Sequence, residues 1–218
     1  MKTMKTREND FIEIDYVARL KENNKIFDLT DKKVAEDNNL HQEGKIYHPI
    51  IICLGHNDVI PGLDKELMNK DLGEYKVEVT SKDAFGRRNA DLIKLLPTSI
   101  FLKQNMKPMP GLHVNLDGIY GVILSVSGGR TIVDFNHPLS GKDLLYQVNI
   151  LKFIENVEEK VKSTLDLIKK DVKFTLQDNN LVVNLKLNAK QEEDLIKEIK
   201  SRIPEVKEIK FEKTTTPE

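Results

Sequence analysis

From Phe11, the stretch FIEIDYVARL alternates apolar and polar residues, the period of a half-buried strand. KIFDL, Lys25 to Leu29, is a second candidate strand. Asp28 interrupts its apolar run, so this carboxylate either faces solvent or has a task. HPIIICLG is a compact apolar run of strand length. In the next stretch, HNDVIPGLDKELMN, the period changes. Leu63, Leu67 and Met68 can share one helical face, and Pro61 suits a first turn where its missing N–H costs nothing. A helix is therefore predicted from Pro61. Ile60 stands at its entrance, where backbone N–H groups have no partner inside the helix. DLGEYKVEVT supplies a glycine at the helix end and then alternation from Tyr75 to Val79, a strand.

The pattern is interrupted from about Arg87 to Ile132. LIKLLPTSIF reads as a helical or turn segment, and KQNMKPMPGL as a loop rich in proline and methionine. GIYGVILSVSGGRTIVDF reads as a hairpin with Gly128-Gly129 as its two-residue turn. After NHPLSGKD, the strand LLYQVNILKFI rejoins a sheet, so the chain leaves one domain and returns to it. From Glu155, ENVEEKVKSTLDLIKK and NAKQEEDLIKEIKSRI carry apolar residues at helical spacing with charged outer faces. With VKFTLQ, LVVNLKL and EVKEIKFE they predict helix, strand, a turn at Asp178-Asn179-Asn180, strand, helix, strand. The closing TTTPE is expected to be disordered. The division expected is residues 1–87 with 132–154, an inserted unit at 88–131, and a C-terminal α+β unit at 155–218.

A chain of 218 residues has room for several such units. Its 34 Lys and Arg against 35 Asp and Glu, spread along the whole length, give no single-signed field, which disfavours nucleic acid as a partner. The single Cys53 cannot form an internal disulfide, and the opening MKTMKTREND has no apolar region to direct export, so a cytoplasmic setting is expected. No apolar run is long enough for a membrane span. The hydrolase, nucleotide and metal motifs are missing: no GxSxG, P-loop, GxGxxG opening a helix, HExxH or CxxC. His41, His48, His56, His113 and His137 are scattered without ligand spacing, so no metal and no cofactor is expected. Cys53, inside IIICL, reads as a small buried hydrophobe. What remains is binding, or catalysis by an apolar environment.

VIPGLDKELMNKDLGE resembles the signature of FKBP-type peptidyl-prolyl cis-trans isomerases, and DYVARL, IFD, SKDAFG and LLYQVNILKF occur in that family's order and spacing. An insertion after DAFG that returns through VDFNHPLSGKDLLYQV is similar to the SlyD-like branch, whose insert-in-flap domain binds unfolded chains. The resemblance covers about residues 10 to 154. The C-terminal segment resembles, more weakly, the extra domain of long-type archaeal members. The fold so implied is α+β: an FKBP-like antiparallel half-barrel sheet wrapped on a helix, an inserted insert-in-flap domain and a small α+β C-terminal domain.

The resemblance puts Tyr16, Phe27, Asp28, Ile50, Val59, Ile60, Leu63, Phe85 and Tyr146 around a prolyl pocket. Leu63 stands where many members have tryptophan, Phe85 where a tyrosine usually offers its hydroxyl, and Tyr146 in place of a phenylalanine. The chemistry fits a chain without a nucleophile. Rotation about a peptide bond is held back by amide resonance, a barrier of about 18 to 20 kcal/mol. A pocket of Phe27, Val59, Ile60, Leu63 and Phe85 would strip away the water that stabilises the planar amide more than the twisted one. By the resemblance, the Ile60 N–H would hold a substrate carbonyl and Asp28 would interact with the rotating amide.

In the inserted unit, Leu92, Ile93, Leu95, Leu96, Ile100, Phe101, Met106 and Met109 are either a small core or a surface that accepts many sequences. With the resemblance, a chaperone groove using Leu92, Leu96, Ile100, Phe101, Met106 and Met109 is expected, its clients unfolded or partly folded proline-containing polypeptides. The C-terminal unit is either a solvated appendage or an interaction surface, with a homodimer as one outcome. Two rivals to an isomerase stand: a holdase on the same scaffold, and a metal-handling protein, the latter disfavoured because no histidine follows His137.

Overall fold

The computed structural model describes residues 4–212, and the closing TTTPE lies outside the described residues. In chain order the elements are β1 (Phe11–Leu20), β2 (Ile26–Leu29), α1 (Lys32–Asp37), β3 (Ile50–Cys53), α2 (Pro61–Glu66), β4 (Gly73–Val79), β5 (Ile93–Pro97) and α3 (Thr98–Lys103). Then come β6 (His113–Leu116), β7 (Ile119–Ser127), β8 (Arg130–Asp134), β9 (Leu144–Phe153), α4 (Val157–Asp166), β10 (Phe174–Gln177), β11 (Asn180–Val183), α5 (Ala189–Arg202) and β12 (Glu208–Phe211). This is an α+β mix with mostly antiparallel sheets. The chain divides into two compact units: one runs up to Val79 and resumes at Leu144, the other extends from Thr80 to Asp143.

In the first unit the sheet runs β2-β1-β9-β4, with β3 also on β1. One side of β1 serves two partners in succession, β3 along Phe11 to Ile14 and β2 along Val17 to Arg19, while β9 follows its other side. The alternation in FIEIDYVARL buries Ile12, Ile14 and Ala18 completely. Short α2 starts at Pro61 as the spacing predicts, with Leu63 and Leu67 on its buried side. Its end is tied down by the Thr6 hydroxyl, which donates to the Leu67 carbonyl at 2.6 Å.

The C-terminal elements form a second sheet, β10-β11-β12, in which β11 and β12 are parallel. The helices are capped by their sequence. Asn156 accepts from the Glu158 and Glu159 N–H groups, and Asn188 and Gln191 make a reciprocal capping box. The core under these helices, Val161, Leu165, Leu181, Val183, Leu195 and Ile199, is continuous with Phe11, Cys53 and Ile154. The segment after Glu155 thus shares its core with the starts of β1 and the end of β3. Aliphatic burial of this kind contributes about 1.5 to 3 kcal/mol per side chain.

The second unit holds the sheet β5-β8-β7-β6 around Phe101, Val114, Ile123 and Val133. It takes in flanks on both sides of the 88–131 span, because those flanks bond to each other. The Gly141 N–H donates to the Gly86 carbonyl at 2.8 Å, and the side chain of Asn136 both accepts from and donates to the Asn89 backbone. One element differs from expectation. Only the second half of LIKLLPTSIF is helical; Ile93 to Pro97 is a strand paired with β8. Pro97 explains the break, since the residue before a proline is pushed to extended backbone and helix α3 can start only after it. A further hairpin, β6 with β7, turns on Asp117-Gly118, both at positive φ. Gly121 on β7 is required by contact: an added Cβ would meet the Phe135 ring at 2.7 Å.

Candidate functional site

Cross-strand register gathers the candidates of the first unit. Ala18 lies opposite Tyr146 of β9 on one side and Asp28 of β2 on the other, so these side chains point to one face. Tyr16, two residues earlier on β1, shares that face. The alanine methyl leaves the space that the larger neighbours use. The rings of Tyr16 and Tyr146 come within 5.8 Å, and the Tyr16 hydroxyl donates to Asp28 Oδ2 at 2.7 Å. Strict alternation would send Phe27 to the opposite face from Asp28. A bulge prevents this: Ala18 pairs with Asp28 and Arg19 with Ile26, leaving Phe27 as the extra residue. Phe27 accordingly meets Tyr146 edge-on, with ring centres 6.2 Å apart at 86°.

The electrostatics of this cluster follow from burial. Burial, then the hydrogen bond to Asp28 and that residue's charge, push the Tyr16 hydroxyl well above the ordinary tyrosine range. Burial and the Asp28 charge do the same to Tyr146, which is only 6% exposed. Both phenols therefore stay protonated at neutral pH. Asp28 is held on its other oxygen as well, where Oδ1 accepts from the Leu29 N–H at 2.9 Å and faces Lys45 Nζ at 3.6 Å. The Lys45 ammonium also lies 5.3 Å from the centre of the Tyr47 ring. Asp28 is thus an oriented acceptor beside an aromatic floor.

The loop from Leu54 to Ile60 leads from β3 into α2. Its backbone is pinned by two carboxylates. Asp64, in the first turn of α2, accepts from the Gly55 N–H at 3.1 Å and the Asn57 N–H at 3.4 Å. Asp58 accepts from the Cys53 N–H at 2.8 Å and from Arg202 at the end of α5. Ile60 follows as the helix cap residue, extended, and its N–H makes no hydrogen bond among the described residues. Val59, Ile60 and Ile50 are half-buried, whereas Leu63 is 1% exposed and packed beneath the surface. Asp58, Asp64 and Arg202 were not among the sequence candidates. Asp64 had a local signal, an acidic residue in a helix's first turn; the pairing of Asp58 with Arg202, 144 residues away, had none.

In the second unit, Phe85 stacks on His137 with ring centres 4.4 Å apart and planes 4° from parallel. Leu92, Ile100 and Met109 are exposed, and Leu96 and Met106 are partly buried against the core. Phe101 departs from the expectation that it lines a groove. With no exposed surface it is the centre of that core, because α3 folds it back onto Val114, Ile123 and Val133. Leu102, Ile119, Tyr120 and Leu124 add exposed apolar surface that the sequence did not single out. Among the described residues no three His, Cys, Asp or Glu side chains converge as metal ligands, and no helix is long and apolar enough to cross a membrane. Burial pushes the Cys53 thiol up to about 12, far from a reactive thiolate.

Known proteins match the same regions. A family model described as FKBP-type peptidyl-prolyl cis-trans isomerase matches residues 2–101, and one described as FKBP26, IF domain matches residues 94–139. A short-type peptidyl-prolyl cis-trans isomerase of Methanocaldococcus jannaschii is 27% identical over 145 residues, covering 66% of this chain and 91% of that protein. The FKBP-type peptidyl-prolyl cis-trans isomerase SlyD of Vibrio cholerae is 28% identical over 146 residues, 64% of this chain and 72% of its own length. SlyD of Escherichia coli is 28% identical over 131 residues, 58% and 67% respectively.

Proposed function

We propose that this chain, which belongs to the FKBP-type peptidyl-prolyl cis-trans isomerase family, accelerates X-Pro rotation in unfolded polypeptides that its inserted unit captures. The observation that carries the reading is the cluster in which Tyr16 donates to Asp28 while Phe27 and Tyr146 meet edge to face. A proline ring seated against Phe27, Tyr146, Val59 and Ile60 loses water. The planar amide, with its charge separation, depends on that water more than the twisted amide does. Desolvation therefore lowers the barrier without a covalent step. The Ile60 N–H, without a partner among the described residues, is suited to hold a substrate carbonyl and fix the chain's direction. Asp28 can approach the carbonyl carbon as it becomes more ketone-like during rotation. Tyr16 keeps that carboxylate aimed, and Leu63 supports the floor from below.

The inserted unit supplies capture. Leu92, Leu95, Leu102, Met109, Ile119 and Tyr120 leave apolar surface in water, which suits a partner with no fixed sequence. A client held there has its prolines at raised local concentration for the isomerase unit. A cytoplasmic setting, and a C-terminal segment able to pair two copies, complete the reading. A single monomeric species at every concentration in sedimentation would remove the pairing. The same exposed surface supports the second reading, a holdase with little isomerase activity.

A protease-coupled assay on a proline tetrapeptide separates the two. The full chain is expected to accelerate cis-to-trans exchange, and Phe27→Ala with Asp28→Ala to lose at least about tenfold of it, equivalent to ~1.4 kcal/mol in the barrier. Equal rates with both proteins would leave only the holdase.

A further inference from the structure

Arg202 ends α5, outside the residues that the two family models match, yet it reaches the loop that enters α2. Its Nη1 donates to both carboxylate oxygens of Asp58, at 2.7 and 2.8 Å. The two side chains are 5% and 4% exposed, so the pair is withdrawn from water. Glu198 occupies the rest of the guanidinium, accepting from Nε at 2.7 Å and lying 2.7 Å from Nη2. The second anchor of Asp58 is the Cys53 N–H at the end of β3. Charge-assisted, doubly anchored contacts in a buried setting are the stiffest that side chains make. The residue they immobilise directly precedes Val59 and Ile60.

We infer that Arg202 is a positioning residue for the prolyl site: its grip on Asp58 fixes the backbone of Val59 and Ile60 so that the Ile60 N–H is presented to a substrate carbonyl. This rests on the reading of that site given above. The N–H has no partner among the described residues and sits on a helix entrance without a side-chain cap. Ile60 is tied on its helix side, where its carbonyl accepts from the Leu63 and Asp64 N–H groups at 3.0 Å, and on the other side the chain depends on Asp58. Asp64 separately holds Gly55 and Asn57. Loss of Arg202 therefore leaves Asp58 with the Cys53 N–H alone, loosens the Asp58 to Ile60 end of the loop and leaves its beginning in place. A donor displaced by a fraction of an ångström makes a weaker hydrogen bond, and misplacement of about 1 Å can cost up to about 100-fold.

The carbonyl that Ile60 would hold is bound in the ground state and the transition state alike. Removing such uniform binding raises KM and leaves kcat unchanged. A purely structural role does the reverse, reducing the folded fraction and thus the apparent kcat at constant KM. The test uses the full chain, its Arg202→Met and Arg202→Lys variants, and a proline tetrapeptide, at a temperature where circular dichroism shows each protein folded. Arg202→Met is expected to raise KM about tenfold with kcat within about twofold, and Arg202→Lys, which keeps the charge but loses the double contact, about threefold. In parallel, the Ile60 amide resonance should move on peptide addition in the wild type and move less in the variants. Should Arg202→Met fail to fold, Arg202→Lys and the Ile60 resonance decide. Unchanged KM and an unchanged Ile60 response in the folded variants overturn the positioning role. A wild type that does not accelerate exchange overturns the prolyl-site reading itself.

Discussion

The hydroxyl of Tyr16 donates across the β1 and β2 pairing to Asp28 at 2.7 Å, so its one proton is committed to a carboxylate. Ionising that phenol would remove the donor and set two negative charges side by side in a half-buried place. Burial, which penalises the charged phenolate, is the larger cause, and the bond and charge of Asp28 add to it to hold Tyr16 above the ordinary range; burial and then the same charge hold Tyr146 there too.

Both shifts are upward, so the folded chain keeps protons that the unfolded chain releases. The associated stability is fully present below the unfolded tyrosine pKa, about 10. It is lost as pH rises from there through the folded values. Urea unfolding midpoints are expected to be level from about pH 8 to 9 and to fall above about pH 10. A Tyr16→Phe, Tyr146→Phe variant should show a shallower alkaline decline than wild type. Parallel declines in the two proteins would mean that these phenols are not the buried protons.

Arg202 and Asp58 lead to an ordering of stabilities. Removing the cation alone, as in Arg202→Leu, leaves the Asp58 carboxylate buried without its ion partner. That costs about 3 to 5 kcal/mol. Adding Asp58→Asn removes the stranded charge and keeps an acceptor for the Cys53 N–H. The double variant should therefore be more stable than Arg202→Leu. Urea melts of the two at neutral pH check this, and a double variant less stable than the single one contradicts it.

Why the sequence revealed one of these relationships only by family likeness, and the other not at all, is a matter of range. Strand β1, the helix from Pro61 and the turns at Gly128-Gly129 and Asp178-Asn179 were legible because each is fixed by residues within a few positions of itself. The positive φ of those four turn residues is what Gly, Asp and Asn tolerate. LIKLLP reads as helix or turn in the sequence because a short apolar run fits a helix or a strand until its partner is known, and here the partner, β8, begins at Arg130. The Asp117-Gly118 turn carries an equally clear local signal and joins β6 to β7. Asp28 illustrates the limit at the site. Alternation leaves its direction open, and the bulge that brings Phe27 beside it depends on pairing with β1. Phe101, expected in a groove, fills the core of the inserted unit instead, since composition cannot say which apolar residues of a small unit are buried.

Gly121 offers a test of that core. Alanine there would drive a methyl into Phe135 and Val133, whose nearest atoms lie 2.7 and 2.8 Å from the added carbon. Overpacking of this kind costs about 1 to 3 kcal/mol. The loss should fall on the inserted unit, seen as faster hydrogen exchange along β7 and β8 with β1 and β9 unaffected. Tyr120→Ala, next door but 76% exposed, should change stability by no more than about 0.5 kcal/mol.

The neck of the inserted unit shows where it can be cut. Asn136 Oδ1 accepts from the Asn89 N–H at 2.8 Å, and its Nδ2 donates to the Asn89 carbonyl at 2.9 Å, so the two strands of the neck lie side by side there. Just before it, the Gly86 and Gly141 backbones bond, and Phe85 stacks on His137. Replacing residues 90–135 with a short glycine-rich bridge between Asn89 and Asn136 would remove the four-stranded sheet and retain these contacts. On a proline tetrapeptide, which needs no capture, the shortened protein should keep kcat/KM within a few-fold of the full chain. On a refolding protein limited by proline isomerisation it should lose about 10- to 100-fold, because the raised local concentration disappears with the apolar surface. Equal losses on both substrates would mean that the inserted unit supports the isomerase site itself. Equal retention on both would remove its role in capture.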